Sequence, residues 1–224
     1  MLTTNVIPFL TDLQQNNSKE WFTKNKSRYE LAYADFKKFV DDLIPYLAQT
    51  DRLLNGLLAK DCVYRIYRDV RFSHDKTPYK THFGANIAPG GRKSKKAGFY
   101  LHIEPGGTSI TGGGIYMPEP NVLKALRNEI YQVPEELIEI LESATFKKHF
   151  TGLWEQDKLK TAPKGFPKDF EHIELLKYKS YIVIGDLTKE TISSANLIER
   201  LVEMHKAMYP LNKLINTILE DANL

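Results

Sequence analysis

The apolar period of this chain changes twice, and nothing else in the sequence constrains its fold as much. Through the first fifty residues apolar side chains recur at three- and four-residue steps, as on one face of a helix. At Cys62 the period turns to two, the spacing of a strand, and near Pro118 it turns back. Helical pattern at both ends with strands gathered between them predicts an α+β fold. Its sheet should be mostly antiparallel and covered by long N- and C-terminal helices.

Val6, Phe9, Leu10 and Leu13 mark a helix over about 5–15, and Asn16-Asn17-Ser18 ends it, with Ser18 placed to cap the next. That second helix is predicted from Lys19 to about Gln49. It would bury Trp21, Phe22, Tyr29, Tyr33, Phe36, Phe39, Val40, Leu43 and Leu47, and Pro45 should end or kink it. Strands are predicted near 62–70, 98–104, 108–116 and 181–185, with a short extended piece about His82 to Ala88. Gly112-Gly113-Gly114 inside one of them marks a bulge or a close backbone approach. Further helices should start at Pro118–Pro120, at Pro134 and near Ser193, the last running to Asp221 with a kink at Pro210. No linker or repeat divides the 224 residues. They are expected to form a single domain, 1–224, with a helical stretch over 1–60, a sheet-forming middle over 61–117 and a mixed remainder over 118–224.

At 42% hydrophobic and 26% charged, the chain is outside the range of disordered proteins. Its single cysteine, Cys62, excludes an intrachain disulfide framework and, opening an apolar segment, should be a buried, inert thiol. No apolar run approaches the roughly 18 residues that span a bilayer. The start, MLTTNVIPFL, lacks the basic region of a signal peptide, so a cytoplasmic protein without a membrane partner is expected.

Charge is unevenly placed. Residues 60–96 hold ten basic side chains against three acidic ones, a local +7, while the rest of the chain sums to −4. Such asymmetry points to an anionic ligand or partner. Within the segment Arg65, Arg68, Arg71, Lys76 and Lys80 are interleaved with aromatic residues, and guanidinium forks with ammonium groups suit a phosphate or carboxylate. These five are the candidate ligand-binding residues. Strand alternation turns Arg68 toward the apolar side, where it needs a carboxylate or the ligand as partner. The competing reading is that the arginines pair with the chain's own acids and lock a loop.

His102 and Glu104 stand two apart on a strand, hence on one face, opposite Phe99, Leu101 and Ile103. They are the candidate catalytic pair, a base with its orienting carboxylate. His-x-Glu can also hold a metal, but two residues are not a site, and a third ligand would have to come from His82 or Asp69. No metal is assigned. The glycines fit neither dinucleotide nor Walker loops, and no nucleophile elbow or thiol-enzyme signature occurs, so no cofactor and no reaction are assigned.

Several blocks together resemble one family. They include Asn17-Ser18-Lys19-Glu20-Trp21-Phe22, the run from Arg65 through Arg68-Asp69 to Ser73, Asp75-Lys76-Thr77-Pro78-Tyr79-Lys80, and His102-Ile103-Glu104-Pro105-Gly106-Gly107. Gly112-Gly113-Gly114-Ile115-Tyr116-Met117-Pro118, Pro163-Lys164-Gly165-Phe166 and Glu174 to Ser180 continue the match. The chain is similar over nearly its whole length to the uncharacterised, largely bacterial family designated domain of unknown function 2461. The resemblance implies kinship and a single domain, and brings no catalytic residues with it.

Three functions remain open from the residues alone. One is binding, with or without turnover, of a small phosphorylated or carboxylated ligand where the basic block meets His102 and Glu104. Another is association with nucleic acid through residues 60–96, including Arg92-Lys93-Ser94-Lys95-Lys96; the low overall charge and the absence of a nucleic-acid fingerprint weigh against it. The third is a structural or partner-binding domain without catalysis.

Overall fold

Side-chain caps and prolines set half of the α-helix starts among the described residues. In the computed structural model, which describes residues 2–224, α1 spans Leu2–Gln15 and α2 spans Lys19–Lys24, its Trp21 amide donating to the Ser18 hydroxyl at 3.2 Å. The long second helix expected from the sequence is broken at Asn25, whose backbone N–H still closes α2 before α3 (Lys26–Leu47) begins. Pro45 lies in the last turn of α3, two residues before its end. Pro120 and Pro134 take first-turn positions of α5 (Pro120–Gln132) and α6 (Pro134–Glu142), where a missing N–H costs nothing.

Short helices α4 (Ala59–Cys62), α7 (Ala144–Lys147), α8 (Ile173–Leu176) and α9 (Lys189–Ser193) complete the set with α10 (Leu197–Asp221), which contains Pro210. The strands β1 (Phe83–Ile87), β2 (Gly98–Ile103), β3 (Ser109–Ile115) and β4 (Tyr181–Leu187) form one antiparallel sheet in that order. The α+β class read from the sequence holds.

Residues 62–70 are not one of these strands. Cys62 ends α4, and Val63 and Tyr67 make only isolated bridges, to Ala85 and Tyr79. The extended piece after His82 supplies β1 instead. The segment's aromatic and β-branched residues do run beside 78–85: the Tyr64 amide donates to Gly84, Arg68 to Pro78, and Lys80 back to Ile66. Pro78 has no N–H to return, so the ladder stays irregular.

Two compact units can be distinguished, each drawn from separate stretches of chain. The first takes residues 1–93, 100–111 and 186–202. Its core is aromatic: Phe83 of β1 has Phe36 at 5.4 Å and Phe9 at 6.3 Å between ring centres, and Phe22 stacks on Tyr79 at 3.9 Å. Phe9, Phe36 and Phe83 are fully buried, each contributing about 1.5–3 kcal/mol through removal from water. Cys62 is buried here too, its thiol pushed up to about 11 by burial and by Asp61.

The second unit takes residues 94–99, 112–185 and 203–224. There α10 presents two buried asparagines to strand backbone. Asn212 accepts from the Gly114 amide at 2.7 Å and donates to the Gly98 carbonyl at 3.2 Å. Asn216 accepts from the Ala97 amide at 2.8 Å and donates to its carbonyl at 3.1 Å. The glycine run of β3 is the close approach that the sequence suggested: a Cβ on Gly113 would lie 2.5 Å from the Met208 sulfur, and one on Gly114 2.0 Å from the Tyr181 carbonyl oxygen. No helix among the described residues is long and apolar enough to cross a membrane.

Candidate functional site

The site lies on the face of β1 and β2 that does not join the core. Phe99, Leu101 and Ile103 are fully buried, while Tyr100, His102 and Glu104 alternate with them and stay half-buried. His82, just before β1, stacks its ring on that of His102, with centres 3.9 Å apart and planes 23° from parallel. One step along, Gly84 makes room for Tyr100, whose hydroxyl oxygen would be 3.1 Å from a Cβ there.

Glu104 is held from several sides. His102 Nε2 and Glu104 Oε2 are 3.0 Å apart, the Thr81 hydroxyl donates to Oε1 at 2.6 Å, and the Gln14 amide reaches Oε1 at 3.4 Å. Burial alone would raise this carboxyl, but the hydrogen bonds from Thr81 and His102 outweigh it and hold it below the usual range. With Nε2–H directed at Glu104, Nδ1 of His102 is left to face the Tyr100 hydroxyl at 3.4 Å. A carboxylate orienting an imidazole beside a hydroxyl is the arrangement used in proton transfer. Tyr100 is pushed up to about 12, chiefly by burial, so its hydroxyl keeps its proton. His82 is lowered to about 4, by burial first and then by His102, so its imidazole is neutral.

The ligand atoms of His82, His102 and Glu104 all lie within 4.8 Å of one another. Of the two third partners the sequence offered for His102 and Glu104, the fold therefore brings His82. Asp69 stays with Arg71. A pocket of about 460 Å³ includes Glu104 in its wall, with Gln14, Gly107, Ser109 and Lys189 around it.

The basic block divides. Arg68, three-quarters buried, pairs with Asp75 and also reaches the Thr77 and Ser73 hydroxyls, the carboxylate partner that its inward direction required. Arg71 grips Asp69 with two bonds, at 2.6 and 2.9 Å, on the open surface, where such a pair adds little stability. Lys76 donates to the Val70 carbonyl at 3.0 Å. These three are turned to the loop itself. Lys80 is different: it is half-buried, its ammonium 5.2 Å from the centre of the Tyr64 ring, and burial followed by the charge of Arg65 lowers its pKa. In the Arg92–Lys96 loop, Arg92 donates to the Lys60 carbonyl, Lys95 pairs with Glu119 and Lys96 with Glu220, so much of that charge is engaged internally.

Asp75 yields a pH prediction. Hydrogen bonds from the Thr77 amide, Arg68 and the Thr77 hydroxyl hold its carboxyl at about 2, below the unfolded value. A depressed carboxyl stabilises the fold above its unfolded pKa, and that contribution disappears as pH falls through the folded one. The 68–77 loop should therefore stay fixed at pH 4 and loosen toward pH 2. Carboxyl shifts followed by NMR check this, and an Asp75 midpoint near 4 would contradict it.

Sequence reasoning found His102, Glu104 and Lys80 but missed Thr81, Tyr100 and Gln14. Lys80 and His82 share the two-residue spacing of Tyr100, His102 and Glu104, which was a legible hint that both sets share one face. No curated protein and no solved structure matches the chain. A family described as conserved hypothetical protein (DUF2461) matches residues 5–214, nearly its whole length, and the chain belongs to that family.

Proposed function

We propose that the protein binds a small anionic ligand, phosphorylated or carboxylated, at the Lys80 end of this face, in a cytoplasmic setting. One observation supports this above the others: Lys80 is half-buried beside Arg65, and among the described residues no carboxylate lies within ion-pair distance of either. Burial lowers Lys80 first and repulsion from Arg65 adds to it, and an anion placed between the two cations relieves that repulsion. Arg68, Arg71 and Lys76 lie outside the proposed contact because each already directs a donor into the 68–77 loop.

The test is titration with inorganic phosphate by NMR or calorimetry. Lys80→Ala and Arg65→Ala should each weaken binding about tenfold or more, as expected for loss of a charge-assisted hydrogen bond worth about 1.5–3 kcal/mol. Added salt should weaken it further, and Arg71→Ala should leave it unchanged. Equal losses in all three variants would refute this placement of the site, as would no binding at millimolar phosphate.

A further inference from the structure

We propose that His82, His102 and Glu104 form a binding site for one divalent transition-metal ion, of which Zn²⁺ is the probe. All three ligand atoms already lie within 4.8 Å of one another. The 3.0 Å between His102 Nε2 and Glu104 Oε2 is the spacing of neighbouring donors on one ion, since bonds of about 2.0–2.1 Å place them roughly 3 Å apart. The proton now between these atoms occupies the place that the ion would take.

His82 supplies the independent observation. Its imidazole is half-buried, yet neither ring nitrogen has a hydrogen-bond partner among the described residues. Neither nitrogen is sealed from solvent, so both are free to take an incoming ion without first breaking a hydrogen bond within the protein. The two rings lie nearly parallel, so His82 turns about its Cβ–Cγ bond as it takes the ion. Outer contacts fit the assignment as well: Thr81 and Gln14 hold Glu104 Oε1, and the Tyr100 hydroxyl meets the far nitrogen of His102, as groups behind metal ligands commonly do.

Two imidazoles with one carboxylate favour first-row transition ions over Mg²⁺ and Ca²⁺, which prefer all-oxygen sites. Three protein ligands also leave coordination positions open to an exogenous ligand. The inference does not rest on the anion site, because neither Lys80 nor Arg65 is a ligand.

The experiment is calorimetric titration of the chelator-stripped full chain with Zn²⁺. One equivalent should bind, His82→Ala and His102→Ala should each weaken it at least 100-fold, and Thr81→Ala about tenfold. Absence of stoichiometric binding, or binding that survives both histidine substitutions, would overturn the proposal. Should a variant fail to fold, Co²⁺ on the unaltered chain decides: paramagnetic broadening centred on residues 82, 102 and 104 supports the site, and broadening centred elsewhere refutes it. Phosphate titration of the metal-free chain is read separately, so the two proposals fail independently.

Discussion

Gly114→Ala is expected to destabilise the fold by about 3–5 kcal/mol, the range of the most damaging single substitutions. Two costs combine at that position. Its φ of +102° is a conformation that side chains rarely adopt, and the added Cβ would stand 2.0 Å from the Tyr181 carbonyl oxygen. The obstacle is strand backbone, so no rotamer change relieves it, and β3 or β4 must shift. Gly106→Ala is the control. It shares a positive φ, +93°, but its Cβ would meet nothing within 4 Å, so it should cost only about 1–2 kcal/mol. Urea denaturation of both variants measures the difference, and equal losses would show that the close approach is not what requires glycine.

Asn212→Ala should cost about 2–4 kcal/mol for a different reason. The amide is 2% exposed and serves the Gly114 N–H and the Gly98 carbonyl at once. Removing it strands two buried backbone groups, each carrying a desolvation penalty of about 1–3 kcal/mol. Asn128→Ala, on the exposed side of α5, should stay within about 0.5 kcal/mol. A small loss at position 212 would mean that water or a shifted strand replaces the amide.

What could be read from the residues divides along physical lines. The β2 alternation was legible because a two-sided strand writes its burial directly into sequence, Phe99, Leu101 and Ile103 against Tyr100, His102 and Glu104. The starts at Ser18 and Pro134 were legible because caps and prolines act locally. Residues 62–70 misled because their composition suits a strand while the regularity of a ladder depends on the partner, and that partner contains Pro78. The stacking of His82 on His102 depends on register across a connection of ten residues, 88–97, that carries no short hairpin turn to fix it. Internal pairing of the arginines was one of two readings open from the residues, with Asp69 a candidate partner. Which cations pair depends on the path of the loop, and only the fold brings Asp75 to Arg68.

The interleaving of the two units along the chain bears on how the protein is made. The first unit needs residues 186–202, and the second needs residues 203–224. During synthesis, at about 5–20 residues per second, the first unit is incomplete until residue 202 has emerged and the second until residue 224. The helix α1, whose Phe9 belongs to the aromatic core, also meets α9, so it lacks that neighbour until residues 189–193 have been made. Cutting the gene anywhere between residues 94 and 202 therefore yields two fragments of which neither contains a whole unit.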